Sequence, residues 1–294
     1  MTAAISANVA HDEEGIGPSG ELRARIAAYG AWYHEFDFGG GCVSRPRHPH
    51  RAIWAENERF LDAVDFRGKS VLDIGCWDGY WSFYAERRGA AGVLATDDNS
   101  QHWTQVSAEG AIGTKPSVEP GEGFRLAHEA LRSRVQYRGD VSVYELEKLG
   151  RMFDVVLCLG VVYHLTHFVS ALTQLRHAVA PGGCVIVESA ASNEHRKSSM
   201  DFLYGPEDGF GGTVEPERTD PSNWTVPTIR CLHDMLNACY FDVPRLKFHP
   251  PEFARGRVLM EARPLVWANP QWIYRPPFGL DRYDARYGGT NVGS

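Results

Sequence analysis

Nine consecutive residues, Val71-Leu-Asp-Ile-Gly-Cys-Trp-Asp-Gly79, place an apolar run ending in an acid directly before a tight glycine turn. A second run, Gly92-Val-Leu-Ala-Thr-Asp97, repeats the pattern and ends in another acid. In a βαβ unit both acids fall at the carboxyl ends of adjacent parallel strands, where open α/β sheets bind their ligands. Dinucleotide turns use G-x-G-x-x-G so that a helix N-terminus can hold an anionic pyrophosphate. Here Gly75 and Gly79 are separated by Cys76, Trp77 and Asp78, and a bulky indole with an extra carboxylate would crowd and repel such an anion. S-adenosylmethionine has no phosphate and carries an ammonium and a sulfonium, which suit carboxylates. Asp73 is expected to orient the turn and the ammonium end, and Asp97 to accept both ribose hydroxyls. The competing reading is two ordinary strand-end acids beside a structural turn.

The bulk numbers bound the partners. Thirty Lys+Arg against 37 Asp+Glu give a formal charge of −7 over 294 residues, which argues against broad nucleic-acid binding while allowing a local basic groove. With 43% hydrophobic and 23% charged residues, the chain reads as soluble and globular, with a sizeable core. Six cysteines, Cys42, Cys76, Cys158, Cys184, Cys231 and Cys239, form no C-x-x-C pair, and the expected setting is a reducing cytoplasm. The first residues lack a basic-then-apolar leader, and no run reaches the ~18 apolar residues of a membrane span. Neither secretion nor membrane insertion is expected.

The elements that must position these residues follow from periodicity. Residues 1–19 are small and polar and are expected to be disordered. Helices over 21–33 and 52–64, separated by Asp37-Phe-Gly-Gly-Gly41 and a basic cluster (Arg45, Arg47, His48, His50, Arg51), make an N-terminal helical cap over 20–65. That cluster could hold an acidic substrate or an RNA phosphate, or be a solvated surface. Strands at 70–74, 92–97, 135–139, 153–159 and 184–189 alternate with helices at 80–89, 123–132 and 167–179, and Ala180-Pro-Gly-Gly183 reads as the turn into the last strand. A Gly-, Pro- and acid-rich stretch, 205–223, reads as a lid-like insertion. A helix over 228–238 and strands over 243–248 and 256–262 complete an antiparallel edge. The fold class is α/β: a Rossmann-like, doubly wound, mostly parallel sheet over 66–264 with an antiparallel C-terminal edge. The aromatic tail, 265–294, is expected to pack on the domain or on a dimer partner. The pattern leaves the oligomeric state open, a homodimer included.

Over about residues 66–190, the order of glycine turn, acidic strand end, Phe153-Asp-Val-Val156 and Pro181-Gly-Gly183 resembles the class I S-adenosylmethionine-dependent methyltransferases. A narrower likeness lies in Leu157-Cys-Leu-Gly-Val-Val-Tyr-His-Leu165, Asn223-Trp-Thr-Val-Pro-Thr-Ile229 and Gly256-Arg-Val-Leu-Met-Glu-Ala-Arg-Pro264. These segments are similar to the enzymes that alkylate 5-hydroxyuridine at the tRNA wobble position using carboxy-S-adenosylmethionine. The resemblance implies cofactor contacts at Asp73, Gly75, Cys76, Trp77 and Gly79 in the turn, at Asp97, Asp98 and Asn99 by the ribose, and at Val143 and Tyr144 beside the adenine. It implies that Leu159, Gly160 and Tyr163 line the transferred group, with Tyr163 and Arg257 matching the family's carboxylate-binding tyrosine and arginine. The third anchor fails: where the family has a lysine before an aromatic-histidine pair, this chain has Gly30 ahead of Tyr33-His34. That loss should cost roughly 1.5–3 kcal/mol, or about tenfold to a hundredfold in affinity for a carboxylated cofactor. Plain S-adenosylmethionine is therefore the expected donor, with carboxy-S-adenosylmethionine as the alternative. Trp77 stands where the usual motif has glycine and should tighten that end of the pocket.

Methyl transfer from a sulfonium is an in-line displacement, so the protein mainly aligns the nucleophile and removes water. His164 and His167 follow the fourth strand, and a histidine near its ordinary pKa can take a proton. The rival reading makes His164 a structural buttress of Tyr163. Metal assistance is not expected, because Val161-Val-Tyr-His-Leu165 has no acids where metal-dependent O-methyltransferases place them, although Asp97-Asp98-Asn99 could mimic a metal trio. The leading expectation is O-methylation of a small hydroxylated metabolite or sugar. The alternatives are alkylation of a tRNA wobble uridine and a non-catalytic cofactor-binding partner subunit.

Overall fold

The computed structural model describes residues 17–46, 50–100, 119–202, 224–249 and 256–265. The expectations for residues 1–16, for 205–223 and for the tail beyond Leu265 lie outside the described residues, as do Arg47 and His48 of the basic cluster.

Parallel strands must be apolar on both faces, and the sequence supplies three such runs side by side. β1 (Ser70–Ile74), β4 (Phe153–Leu159) and β5 (Val179–Ala191) form the centre of a seven-stranded sheet. Its order is β3-β2-β1-β4-β5-β9-β8, with β2 at Gly92–Thr96, β3 at Gln136–Arg138, β8 at Phe241–His249 and β9 at Gly256–Pro264. β1 to β5 are parallel, while β9 runs antiparallel to both β5 and β8. Alternation along the strands sends Val71, Val155, Leu157 and Ile186 into one hydrophobic cluster and Leu72, Val156, Val185 and Val187 into the other. α1 (Gly20–Ala28), α2 (Arg51–Leu61), α3 (Tyr80–Arg87) and α4 (Glu122–Leu131) cover the first face; α5 (Phe168–Ala178) and α6 (Ile229–Ala238) cover the second. The expected doubly wound α/β fold with an antiparallel edge is the observed one. Among the described residues, no helix is long and apolar enough to cross a membrane.

Four details differ from the sequence reading. α1 stops at Ala28 rather than near Tyr33: its C-cap Tyr29 is already extended (ψ 110) and is followed by Gly30, and further on the Tyr33 and His34 amides donate to Asp78 instead of continuing a helix. Ala180-Pro-Gly-Gly183 is a bulge within β5, not a turn before it. Phe153 pairs with Val179 and Val155 with Cys184, so a step of two residues on β4 faces a step of five on β5. A Cβ at Gly183 would lie 2.5 Å from the Asp154 carbonyl, which only glycine avoids. β6 (Met200–Phe202) and β7 (Thr225–Pro227) form an unforeseen antiparallel ribbon, too short to show a period. Two 3₁₀ turns, Val143–Leu149 and Val162–His164, follow β3 and β4 at the carboxyl edge.

Ile186 is fully buried between Leu157 and Glu261 in the register. Ile186→Ala should lower the unfolding free energy by about 2–5 kcal/mol, measured by urea denaturation.

Candidate active site

The turn between β1 and α3 lies where the strand order reverses, the crevice in which doubly wound sheets bind ligands. Gly75 (φ +64) is exposed there, and a Cβ would sit 2.7 Å from Val161 Cγ2 on the loop after β4. Trp77 takes φ +50, unusual for a bulky residue. Its amide is held by donating to Asp97 Oδ2 at 3.0 Å. Asp97 Oδ1 accepts the Asn99 amide at 2.7 Å, and Asn99 Nδ2 donates to the Gly139 carbonyl at 2.8 Å. Asp73 is buried at the end of β1 and accepts the Ser82 hydroxyl at 2.5 Å. Burial pushes its carboxyl up to about 7 against the Ser82 bond, and the nearby Asp97 charge adds to the rise. Burial likewise raises Asp97, against the amides of Asn99 and Trp77. Asp98 is exposed and accepts only the Ser100 amide among the hydrogen bonds described. Cys76 is buried, which pushes its thiol well up, so it serves as packing. Val143 is buried in the 3₁₀ turn, and the Tyr144 hydroxyl accepts the Thr166 and His167 amides at 3.3 and 3.2 Å, tying this turn to the loop after β4.

Asp78 does not face a ligand. It is fully buried, accepts the Tyr33 and His34 amides at 3.1 and 2.8 Å, and pairs with His34 Nδ1 at 2.6 Å. Asp78 is thus engaged by Tyr33 and His34, where the sequence reading has it repel a pyrophosphate. His34 stacks on Tyr80 with ring centroids 4.7 Å apart and an interplanar angle of 16°. Sequence reasoning missed this anchor, although the Tyr33-His34 pair was its visible signal.

The second half of the site closes over Gly160, at the end of β4. Leu159 and Tyr163 are buried beside it, and the Arg257 guanidinium carbon lies 4.7 Å from the Tyr163 ring centroid. Arg257 Nη1 approaches Glu188 Oε1 at 3.4 Å. Glu188 was also missed, though it ends the apolar run Val185-Ile-Val just as Asp73 and Asp97 end theirs. Burial raises its carboxyl, opposed by Arg257 and the Gly160 amide. Tyr33 is 36% exposed and packs against His34, His50 and Trp54; its hydroxyl is raised by burial, then by Tyr163, opposed by Arg257. The His164 ring lies 4.1 Å from that of Tyr163. His167 is exposed, with Nδ1 2.8 Å from the Thr166 hydroxyl. The Trp224 amide donates to the Tyr163 carbonyl at 2.9 Å, and Val226 packs on Tyr163, so the chain returns to the site at β7.

These residues fit S-adenosylmethionine on their own terms. Two buried acids suit its cationic and hydroxyl groups, Gly75 lets a ligand approach the backbone, and the buried Trp77 Nε1 lacks a partner. When bound, that group supplies an already activated methyl. The sheet order and this turn define a class I S-adenosylmethionine-dependent methyltransferase.

The chain belongs to the methyltransferase domain family, which it matches over residues 47–219. A relative in Campylobacter hominis, named tRNA U34 carboxymethyltransferase, is 32% identical over 126 residues, covering 43% of this chain and 38% of the relative. One of the same name in Desulfotalea psychrophila is 24% identical over 265 residues, covering 89% and 71%. The matches to the Campylobacter hominis and Campylobacter concisus relatives span only 38% and 51% of those proteins' own lengths. Among solved structures, the 1,6-didemethyltoxoflavin-N1-methyltransferase of Burkholderia thailandensis, bound to 1,6-didemethyltoxoflavin and S-adenosylhomocysteine, aligns with a TM-score of 0.51. It is 19% identical, over 73% of this chain and 82% of its own. The N-terminal domain of EvdMO1, solved in the presence of S-adenosylhomocysteine and D-fucose, gives a TM-score of 0.54 at 16% identity, over 83% and 96%. Both likenesses are of fold.

Two outcomes follow. An ammonium placed beside Asp73 would favour its ionised form, so S-adenosylhomocysteine affinity should rise about tenfold from pH 6 to pH 8, as a carboxyl titrating near 7 loses its proton. The free protein should respond in the opposite sense. A folded pKa above the unfolded value of about 3.9 means that this carboxyl's contribution to stability falls as pH rises from about 4 to 7. Calorimetry across pH on wild type and Asp73→Asn checks the binding half, and the variant should lose the slope. Separately, Asp78→Ala strands His34 and two amides. It should cost at least about 3 kcal/mol in urea denaturation, since each buried donor left unpaired costs about 1–3 kcal/mol.

Proposed function

We propose that the protein transfers a methyl group from S-adenosylmethionine to a hydroxyl of a small metabolite or sugar. The observation that carries this reading is that several surface cations are already engaged, although exposed Arg45, Lys69, Arg132, Arg196 and Lys197 are not among them. Arg51, Arg59, Arg88, Arg138, Lys148 and Lys247 each sit against a carboxylate, and a cation already paired offers little to a phosphate backbone. Arg51, from the basic cluster, is engaged by Glu35. On this reading Asp73 and Asp97 hold the cofactor, Tyr163 and Arg257 flank the transferred group, and His164 takes the hydroxyl proton. All six cysteines are unpaired, which supports a cytoplasmic setting.

A second reading, carboxymethyl transfer to the tRNA wobble uridine, is favoured by the names of the relatives and by the contact of Arg257 with Tyr163. The deciding experiment supplies methyl-labelled S-adenosylmethionine and, in parallel, carboxy-S-adenosylmethionine labelled on the transferred carbon, each with fractionated metabolites or with bulk tRNA. Label in a metabolite fraction and none in tRNA is expected. Label in tRNA alone, with a tRNA mobility shift at low salt, would replace the first reading by the second.

A further inference from the structure

The segment that leaves β5 carries two consecutive cations, Arg196 and Lys197, both exposed. Among the described residues they are the one adjacent pair of cations in which neither side chain has a carboxylate partner. In the other such pair, Arg87-Arg88, the second is matched by Asp62.

The loop that presents them is fixed at both ends. Glu194 Oε1 accepts the Arg196 and Lys197 amides at 2.5 and 3.3 Å, so the one acid of the loop is turned back on its own backbone. Beyond the cations, Thr228 Oγ1 donates to the Lys197 carbonyl at 2.7 Å and accepts the Ser199 amide at 3.2 Å. The start of α6 is occupied: the Ile229 and Arg230 amides donate to the Ser192 and Glu194 carbonyls, and the Cys231 amide to Thr228 Oγ1. What the loop offers a ligand is therefore side-chain charge, not a helix end. Arg230 is itself taken by Asp234 at 2.8 Å. One acid against two cations leaves the loop positive within a chain of net charge −7.

That charge stands on the side of the site away from the glycine turn. Ala190, near the end of β5, packs with Tyr163 and Val226, and Val226 is two residues from the Thr228 that holds Lys197. A strand rise of about 3.3 Å per residue sets the Lys197 backbone roughly 10 Å from the contact of Val226 with Tyr163. A long cationic side chain covers part of that distance, and a sugar with a phosphate substituent covers the rest. The buried acids Asp73, Asp97 and Glu188 disfavour an anionic acceptor, so a phosphate needs cations that no carboxylate has already matched.

We propose that Arg196 and Lys197 form a subsite for a phosphate group on the acceptor, so that the methylated hydroxyl belongs to a phosphorylated metabolite or sugar. The assignment rests on the small-molecule reading above. Its test incubates the full chain and methyl-labelled S-adenosylmethionine with metabolite fractions, before and after their digestion with alkaline phosphatase and nucleotide pyrophosphatase. Wild type is compared with the double variant Arg196→Ser, Lys197→Ser, and S-adenosylhomocysteine titration checks the donor site in each. Digestion should cut label uptake by wild type at least about tenfold, and the double variant should lose as much at low acceptor concentration. Its S-adenosylhomocysteine affinity should stay within about twofold of wild type. Uptake that survives digestion overturns the assignment whether or not the variant folds. A variant that labels as wild type does also overturns it, and in both cases the small-molecule reading stands. Label in tRNA alone, or in no fraction, removes that reading and the assignment with it.

Discussion

A single buried carboxylate joins the two halves of the site. Asp78 sits inside the glycine turn yet spends its oxygens on Tyr33 and His34. Charge-assisted bonds of this kind contribute about 1.5–3 kcal/mol each, and here they fix the backbone of a segment that carries no regular structure. They also keep residues 33 and 34 out of any continuation of α1, which has already ended at the extended Tyr29. The consequence is structural: the N-terminal segment at Tyr33 and His34 is tied to the turn after β1 through one buried carboxylate.

The turn itself is a strained object held from both sides. Gly75, Trp77 and Gly79 all have positive φ, and for Trp77 this costs roughly 1–2 kcal/mol because its Cβ crowds the backbone. The offset comes from the Asp97 carboxylate, which accepts the Trp77 amide. Asp97 is in turn positioned by β2, whose register against β1 sets Ala95 beside Asp73. Packing closes the other side, since Gly79 lies against Phe83 and Phe124 with no room for a Cβ.

What could be read in the sequence was what local pattern dictates. Short apolar runs such as Val93-Leu-Ala95 and Val155-Val-Leu-Cys-Leu159 read as parallel strands, and the acids Asp73 and Asp97 at two strand ends had to meet at one edge. Features that depend on a distant partner were not readable in this way. The direction of Asp78 depends on a segment 44 residues away. The bulge at Pro181-Gly182-Gly183 depends on the register against Phe153 and Val155. A proline with two glycines is compatible with either a turn or a bulge, and only the neighbouring strand decides. Glu188 followed the same rule as Asp73 and Asp97, but its importance comes from Arg257, which the antiparallel return of β9 places across from Ala190.

The ligand class follows from charge at the sheet's carboxyl edge more firmly than from any one motif. Asp73, Asp97 and Glu188 bring three carboxylates to that edge against one guanidinium, and burial raises all three acids. Such an arrangement is unfavourable empty, because each ionised carboxyl has given up water for too little compensation. A ligand with an ammonium and a sulfonium restores the balance at opposite ends, whereas a pyrophosphate would add anions to a site already short of cations. The carboxylates therefore reject the dinucleotide even though Asp78 turns away from it. Within that frame, Arg257 balances Glu188 locally, and the remaining negative charge lies at Asp73 and Asp97.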